Sequence, residues 1–165
     1  TDMVLFIVGS GSDVYKNELL KKIEFNNLAD NIFLLGELTG IYKNTVYDVS
    51  DIFILPSFHE GFGLTVIEAY RQKLPVITTT ATIFKELKEL QIGWYIEPTE
   101  KELYSAIKDA YIKDTNELKK MGQEGYTWVE ANFSIEIHNK KMESLYMWLL
   151  GKIEKPDFIY GENSE

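Results

Sequence analysis

The chain opens on an unbroken apolar run, Met3-Val4-Leu5-Phe6-Ile7-Val8, which stops at Gly9-Ser10-Gly11-Ser12. A short run that is apolar on both faces predicts a strand covered on both sides, as in parallel sheets. Asp13 is placed to cap a following helix, in which Leu19, Leu20, Ile23 and Leu28 recur at helical spacing. A second strand is expected over Ile32–Gly36, then a short helix carrying Ile41, Val46 and Val49. Third, fourth and fifth strands are read at Asp51–Pro56, Pro75–Thr79 and Gly93–Ile96. Helices are expected between them at about Gly63–Lys73 and Ile83–Leu90. After Pro98 the period is helical throughout. Leu103, Ala106, Ile107 and Ala110 form a first stripe, with Thr99 as cap and Glu102 in place for a capping box. Leu118, Met121, Tyr126 and Val129 form a second stripe, and Ile135, Met142, Leu145, Tyr146 and Leu149 a third.

Strands alternating with helices predict an α/β fold, a Rossmann-like parallel sheet with helices on both faces. Residues 1–152 are read as one domain and 153–165 as a loose polar tail, since Pro156 and Gly161 interrupt a stretch without amphipathic period. In such sheets ligands bind beyond the carboxyl ends of the strands. The loops that matter are then Gly9–Ser12, Gly36–Gly40, Pro56–Gly63 and Thr78–Thr82.

Composition narrows the chemistry. Of the 165 residues 45% are hydrophobic and 26% charged, as in ordinary globular domains. Seventeen basic against 26 acidic residues give a net charge of −9, the wrong sign for a nucleic-acid surface. Arg71 is the sole arginine, so a phosphate site here must rely on backbone amides and lysine, or borrow arginine from elsewhere. The absence of cysteine excludes disulfides, thiolate metal sites and cysteine nucleophiles. No apolar run reaches the ~20 residues of a membrane span, and no signal-like segment opens the chain. The expectation is a cytoplasmic domain.

Gly9-Ser10-Gly11-Ser12-Asp13-Val14 follows a strand and precedes a helix, as a dinucleotide fingerprint does, but Val14 stands where the third glycine belongs. A tight turn and a turn that also touches a nucleotide both satisfy it. Pro56-Ser57-Phe58-His59-Glu60-Gly61-Phe62-Gly63-Leu64-Thr65-Val66-Ile67-Glu68-Ala69-Tyr70 says more. Glu60 lies in a loop whose two glycines bracket Phe62, and Glu68 lies on the second turn of the next helix. Helical side chains lean toward the N-terminus, which directs the Glu68 carboxylate back toward Glu60. Two carboxylates beside an anion-favouring helix start suit a sugar nucleotide: the carboxylates accept from vicinal hydroxyls and the helix start receives diphosphate.

The seven residues between Glu60 and Glu68, with LPVI downstream, resemble the E-x7-E signature of retaining GT-B glycosyltransferases, in particular family 4, or "group 1". LFIVGSGS, NIFLLGEL, VSDIFILPSFHEGFGL, EAYRQKLPVI and IGWYIEP fit in order and spacing, and the resemblance spans roughly residues 3–150. It implies that Glu68 holds the nucleotide ribose and that Glu60 acts at the donor-sugar hydroxyls. It further implies that backbone at Gly61, Phe62, Gly63, Leu64 and Thr65 faces sugar and diphosphate. Leu35 and Gly36 would line the base, with Gly9 and Gly11 near it. The partners implied are a nucleotide diphosphate sugar and a carbohydrate or lipid-linked acceptor, in polysaccharide or glycolipid synthesis. No cofactor, metal or nucleic acid is implied; peripheral contact with the inner membrane face is. The family's donor half opens with one further strand and helix bearing a basic pair, and an acceptor domain precedes it. The expectation is that this chain lacks all of these and is catalytically silent alone.

This chain departs from the pattern at Gln72-Lys73-Leu74, where relatives have a small residue and a glycine, and at Thr80-Ala81-Thr82, where paired glycines are usual. Two other readings stay open: a sugar-nucleotide epimerase of similar architecture, and a module that binds a nucleotide sugar without catalysis. His59, His138, Lys119-Lys120 and Lys140-Lys141 are read as surface positions, and Trp94, Trp128, Tyr146 and Trp148 as packing mass.

Overall fold

The computed structural model describes residues 3–160. In chain order it contains β1 (Leu5–Val8), α1 (Asp13–Phe25), β2 (Ile32–Gly36), α2 (Gly40–Asp48), β3 (Phe53–Leu55), α3 (Leu64–Arg71), β4 (Val76–Thr79), α4 (Glu86–Glu89), β5 (Gly93–Ile96), α5 (Glu100–Ile112), α6 (Thr115–Phe133) and α7 (Ile135–Leu149). The class is α/β with parallel sheets flanked by helices, and the strands fall into two groups. β1 pairs with β2, and β3, β4 and β5 form a second sheet in that order. The chain divides correspondingly into two compact units, 1–50 and 51–165. Each is described by itself.

In the first unit the ladder runs Leu5↔Ile32, Phe6↔Phe33 and Ile7↔Leu34, then shifts so that Val8 opposes Gly36. The α1 cap is Ser12 rather than Asp13: the Ser12 hydroxyl accepts from the Tyr15 amide at 3.3 Å. Asp13 is the first helical residue, where its charge favours the positive end of the helix. The stripe expected of α1 is only partly buried: Ile23 is inside, while Leu20 is exposed. In α2 the buried residue is Tyr47, not Ile41 or Val49, both of which face water.

The second unit holds most of the core. Ile54 pairs with Ile77 and Ile77 with Trp94 across the parallel ladders. α5 lies on the face carrying Ile54, Ile77, Trp94 and Ile96, burying Ala106 and Ala110 against it. α3 packs on β3 and β4, and α6 packs on α3. Tyr70, Phe84, Leu87 and Ile92 are among the other buried side chains. Thr99 caps α5 by accepting from the Glu102 amide. The reciprocal capping box occurs instead on α6, where Asp114 accepts from the Glu117 amide and Glu117 accepts from the Asp114 amide. Ser134 caps α7, its hydroxyl accepting from the Ile137 amide. No residue of α7 is fully buried; Tyr146 and Leu149 of its apolar stripe are exposed. Residues 153–160 form no helix or strand, and the rest of the expected tail lies outside the described residues.

Candidate functional site

In the first unit the turn after β1 meets the end of β2. The Gly9 amide donates to the Gly36 carbonyl at 2.8 Å, so these two expected base-side residues are neighbours. Leu35 and Gly36 are the last residues of β2, both exposed, and Gly11 lies in the turn before Ser12. All four occupy carboxyl ends of parallel strands.

The second unit carries both glutamates on one strand–loop–helix segment. β3 ends at Leu55, the loop runs over 56–63, and α3 begins at Leu64. Gly63 has φ +82°, and a Cβ built there would lie 3.1 Å from the Phe84 ring and 3.5 Å from the Thr82 methyl. Only glycine meets both the backbone and the space at this corner. No side chain caps α3. Leu64 and Thr65 are exposed at its first turn, while Val66, Ile67, Ala69 and Tyr70 are buried. Half-buried Glu68 lies one turn further along.

Glu60 is held by its own loop. One carboxylate oxygen accepts from the Gly61 amide at 3.1 Å and the other from the Ser57 hydroxyl at 3.4 Å. The residue that orders this loop from below was not singled out in the sequence. The Thr79 hydroxyl, buried at the end of β4, donates to the Ser57 carbonyl at 2.5 Å. Thr78 donates to the Leu55 carbonyl, and Thr82 to the Thr79 carbonyl. Thr78 and Thr79 at the end of the strand, with Thr82 three residues on, were the available signal, because a buried hydroxyl needs a partner. The segment Thr80-Ala81-Thr82 is itself held by hydrogen bonds. There the Thr80 amide donates to Ile96, the Ala81 amide to the Thr79 hydroxyl, and Tyr95 donates to the Thr82 carbonyl.

Arg71 is engaged elsewhere, its Nε 3.4 Å from a Glu130 carboxylate oxygen on α6. His59 is an exposed loop residue. Among the described residues no group of three or more His, Asp or Glu is gathered as for a metal ion. No described helix is long and apolar enough to cross a membrane.

With this geometry in place, the family model described as glycosyl transferases group 1 matches residues 1–128. The chain belongs to the glycosyl transferases group 1 family. It is 29% identical over 139 residues to the lipopolysaccharide core biosynthesis mannosyltransferase LpsB of Rhizobium meliloti, a match covering 82% of this chain and 39% of that protein. The C-terminal domain of a group 1 glycosyl transferase from Francisella tularensis superposes with a TM-score of 0.70 at 27% identity, covering 81% of this chain and 71% of that one. Anabaena HepE, solved in complex with UDP, shares the fold with a TM-score of 0.75 at 23% identity, over 87% of this chain and 41% of that one. This group 1 chain thus spans about two fifths of the length of the mannosyltransferase.

Proposed function

We propose that the chain is the donor-binding part of a retaining GT-B glycosyltransferase that moves a sugar from a nucleotide diphosphate sugar to an acceptor hydroxyl, in polysaccharide or glycolipid synthesis. The observation that carries this reading is the placement of Glu60 and Glu68 on the single loop–helix segment beyond β3, within the residues that match the family. The UDP bound by HepE and the lipopolysaccharide role of the Rhizobium enzyme support it as properties of those relatives. In the proposed site Glu68 accepts from ribose hydroxyls, and Glu60 gives up its contacts with Ser57 and Gly61 to accept from the donor sugar. The Gly61 amide thereby becomes free for the ligand. Transfer breaks the bond between the anomeric carbon and the diphosphate oxygen and forms one to the acceptor oxygen, whose proton leaves. The chain's contribution is to position the donor and to stabilise the departing charge with backbone dipoles.

The test is binding and turnover in the protein that carries this chain, screened against UDP-, GDP- and ADP-sugars by thermal shift. A ligand at 100 times its dissociation constant adds about 2.7 kcal/mol. Glu68→Ala should weaken both the nucleoside diphosphate and its sugar conjugate. Glu60→Ala should spare the nucleoside diphosphate and lower turnover. Equal loss of nucleoside-diphosphate affinity in the two variants would refute the division of roles.

A further inference from the structure

Phe62 lies between the two glycines of the glutamate loop, and its ring does not simply face water. It meets Phe84 edge-on at 5.8 Å and Phe133 edge-on at 6.0 Å between centroids. Those two rings contact each other at 5.9 Å, and both contact Trp128, at 6.2 and 5.3 Å. Phe84 is 1% exposed, so its place is fixed by the core, whereas Trp128 and Phe133 lie on the last turns of α6. The same Phe84 ring closes over Gly63, where a Cβ would find it at 3.1 Å. The loop is therefore gripped twice. Thr79 holds its start through the Ser57 carbonyl, and the aromatic cluster holds its end through Phe62.

We propose that Phe62, Phe133 and Trp128 are positioning residues: the end of α6 fixes, through the Phe62 ring, the short stretch of backbone that joins Glu60 to α3. Gly61 and Gly63 supply no side-chain restraint, so without the ring Glu60 and the Gly61 amide would sample many placements relative to Glu68. Edge-to-face aromatic pairs contribute enough to change a local opening equilibrium by a factor of roughly two to ten each. Phe62 makes two. Glu68 itself is carried by α3, whose seating on β3 and β4 does not depend on Phe62. Loss of the brace should then separate the two glutamates functionally, leaving the ribose contact at Glu68 and impairing placement of the sugar and diphosphate. The catalytic half of this inference rests on the donor-binding reading above; the mechanical half does not.

Phe62→Leu, Phe133→Leu and Phe62→Tyr are compared in the protein that carries this chain. The last keeps the ring at a position 40% exposed, where an added hydroxyl reaches water. Without ligand, amide exchange over residues 58–65 should be about tenfold faster in both leucine variants and within twofold of the parent in Phe62→Tyr, while exchange over β1 and β2 is unchanged. With a nucleotide sugar, kcat should fall about tenfold in the leucine variants, while affinity for the nucleoside without its phosphates stays within about twofold of the parent. Unchanged exchange over 58–65 in Phe62→Leu overturns the proposal, and Phe62 is exposed enough for that variant to fold even if Phe133→Leu does not. Parallel loss of kcat and nucleoside affinity also overturns it, since that is general loosening. A parent that binds no nucleotide sugar defeats the donor-binding reading alone, and the exchange result still decides for or against the brace.

Discussion

At the residue scale, Lys73 shows how a departure from the family pattern is absorbed. It stands in the Gln72-Lys73-Leu74 segment, where relatives place a small residue and a glycine, and its φ is +60°. A residue with a Cβ costs roughly 1–2 kcal/mol in this left-handed region. The Lys73 ammonium lies 5.4 Å from the centre of the Tyr126 ring, a contact worth about 0.5–1 kcal/mol at an exposed site, which offsets part of that cost. Lys73→Gly and Lys73→Ala both remove the ammonium and differ only in the Cβ. Lys73→Gly should therefore be about 1 kcal/mol more stable than Lys73→Ala in urea denaturation, reversing the usual order of the two residues. Equal midpoints would show that the turn carries no conformational strain. Tyr70 gives a pH-dependent case. Its ring is fully buried on α3, its hydroxyl donates to the Ile92 carbonyl at 3.1 Å, and burial pushes its pKa far above the ordinary tyrosine value of about 10. Above pH 10 the unfolded chain releases the proton and the folded chain keeps it. Stability is thus intact below pH 10 and falls above it by up to about 1.4 kcal/mol per pH unit. Tyr70→Phe should cost about 1 kcal/mol at neutral pH for the lost hydrogen bond and should flatten the alkaline limb measured by denaturation between pH 9 and 11. An unchanged alkaline slope would exclude Tyr70 as its source.

At the element scale, the seating of α6 on α3 decides whether the glutamate-bearing helix stays in place. A Cβ at Gly122 would lie 1.8 Å from the Lys73 carbonyl oxygen, and one at Gly125 would lie 2.1 Å from the Tyr70 ring. Ring and backbone are both fixed, so the helices must part to admit a methyl group. In an exposed helix Gly→Ala gains about 1 kcal/mol. Here Gly122→Ala should instead lose at least 1–3 kcal/mol, as overpacking does, read as a lower melting temperature. A gain in stability would mean that α6 can shift outward at no cost. These two glycines also mark what was hard to read in the sequence. Inside a helical stripe a glycine looks like a weakness, and nothing local identifies the Lys73 carbonyl or the Tyr70 ring as the neighbour that requires it. What was legible depended on short-range chemistry. Ile32–Gly36 and Gly93–Ile96 were bounded by their apolar runs, Thr99 acts as the cap its position suggested, and the Glu60–Glu68 spacing marked the loop–helix segment directly. The α1 cap was displaced by one residue because Ser12 and Asp13 both fit an N-cap, and only backbone geometry chooses between them. The support beneath Glu60 was not legible, because Thr79, Phe84 and Phe133 reach the loop from 22 or more residues away in sequence from Ser57 or Phe62.

At the scale of the whole molecule, burial is distributed unevenly between the two units. Val76, Ile77, Thr78 and Thr79 of β4 are all within 1% of complete burial, with β3 and β5 paired on either side. In the first unit Leu5 and Val8 at the ends of β1 are about 40% exposed, and β1 has a single partner strand among the described residues. Ile23 and Tyr47 are its buried apolar side chains, whereas Phe25, Ile41 and Tyr42 face outward. Local opening free energy follows the apolar surface an element keeps from water, at roughly 25 cal/mol per Å². The β1–β2 ladder should therefore open at markedly lower free energy than β4, although all these strands are parallel and β1 is the more apolar in sequence. Native-state amide exchange resolves this: peptides spanning 5–8 and 32–36 should exchange at least tenfold faster than one spanning 76–79, and should lose protection first as urea is added. Leu35 and Gly36, which the family resemblance would place along a base, lie in that softer ladder. A nucleotide that engages Leu35 and Gly36 should then slow exchange most at 32–36, while leaving 76–79 nearly unchanged because it is already protected. Equal protection of the two ladders without ligand would show that the first unit draws its stability from something other than its own buried surface.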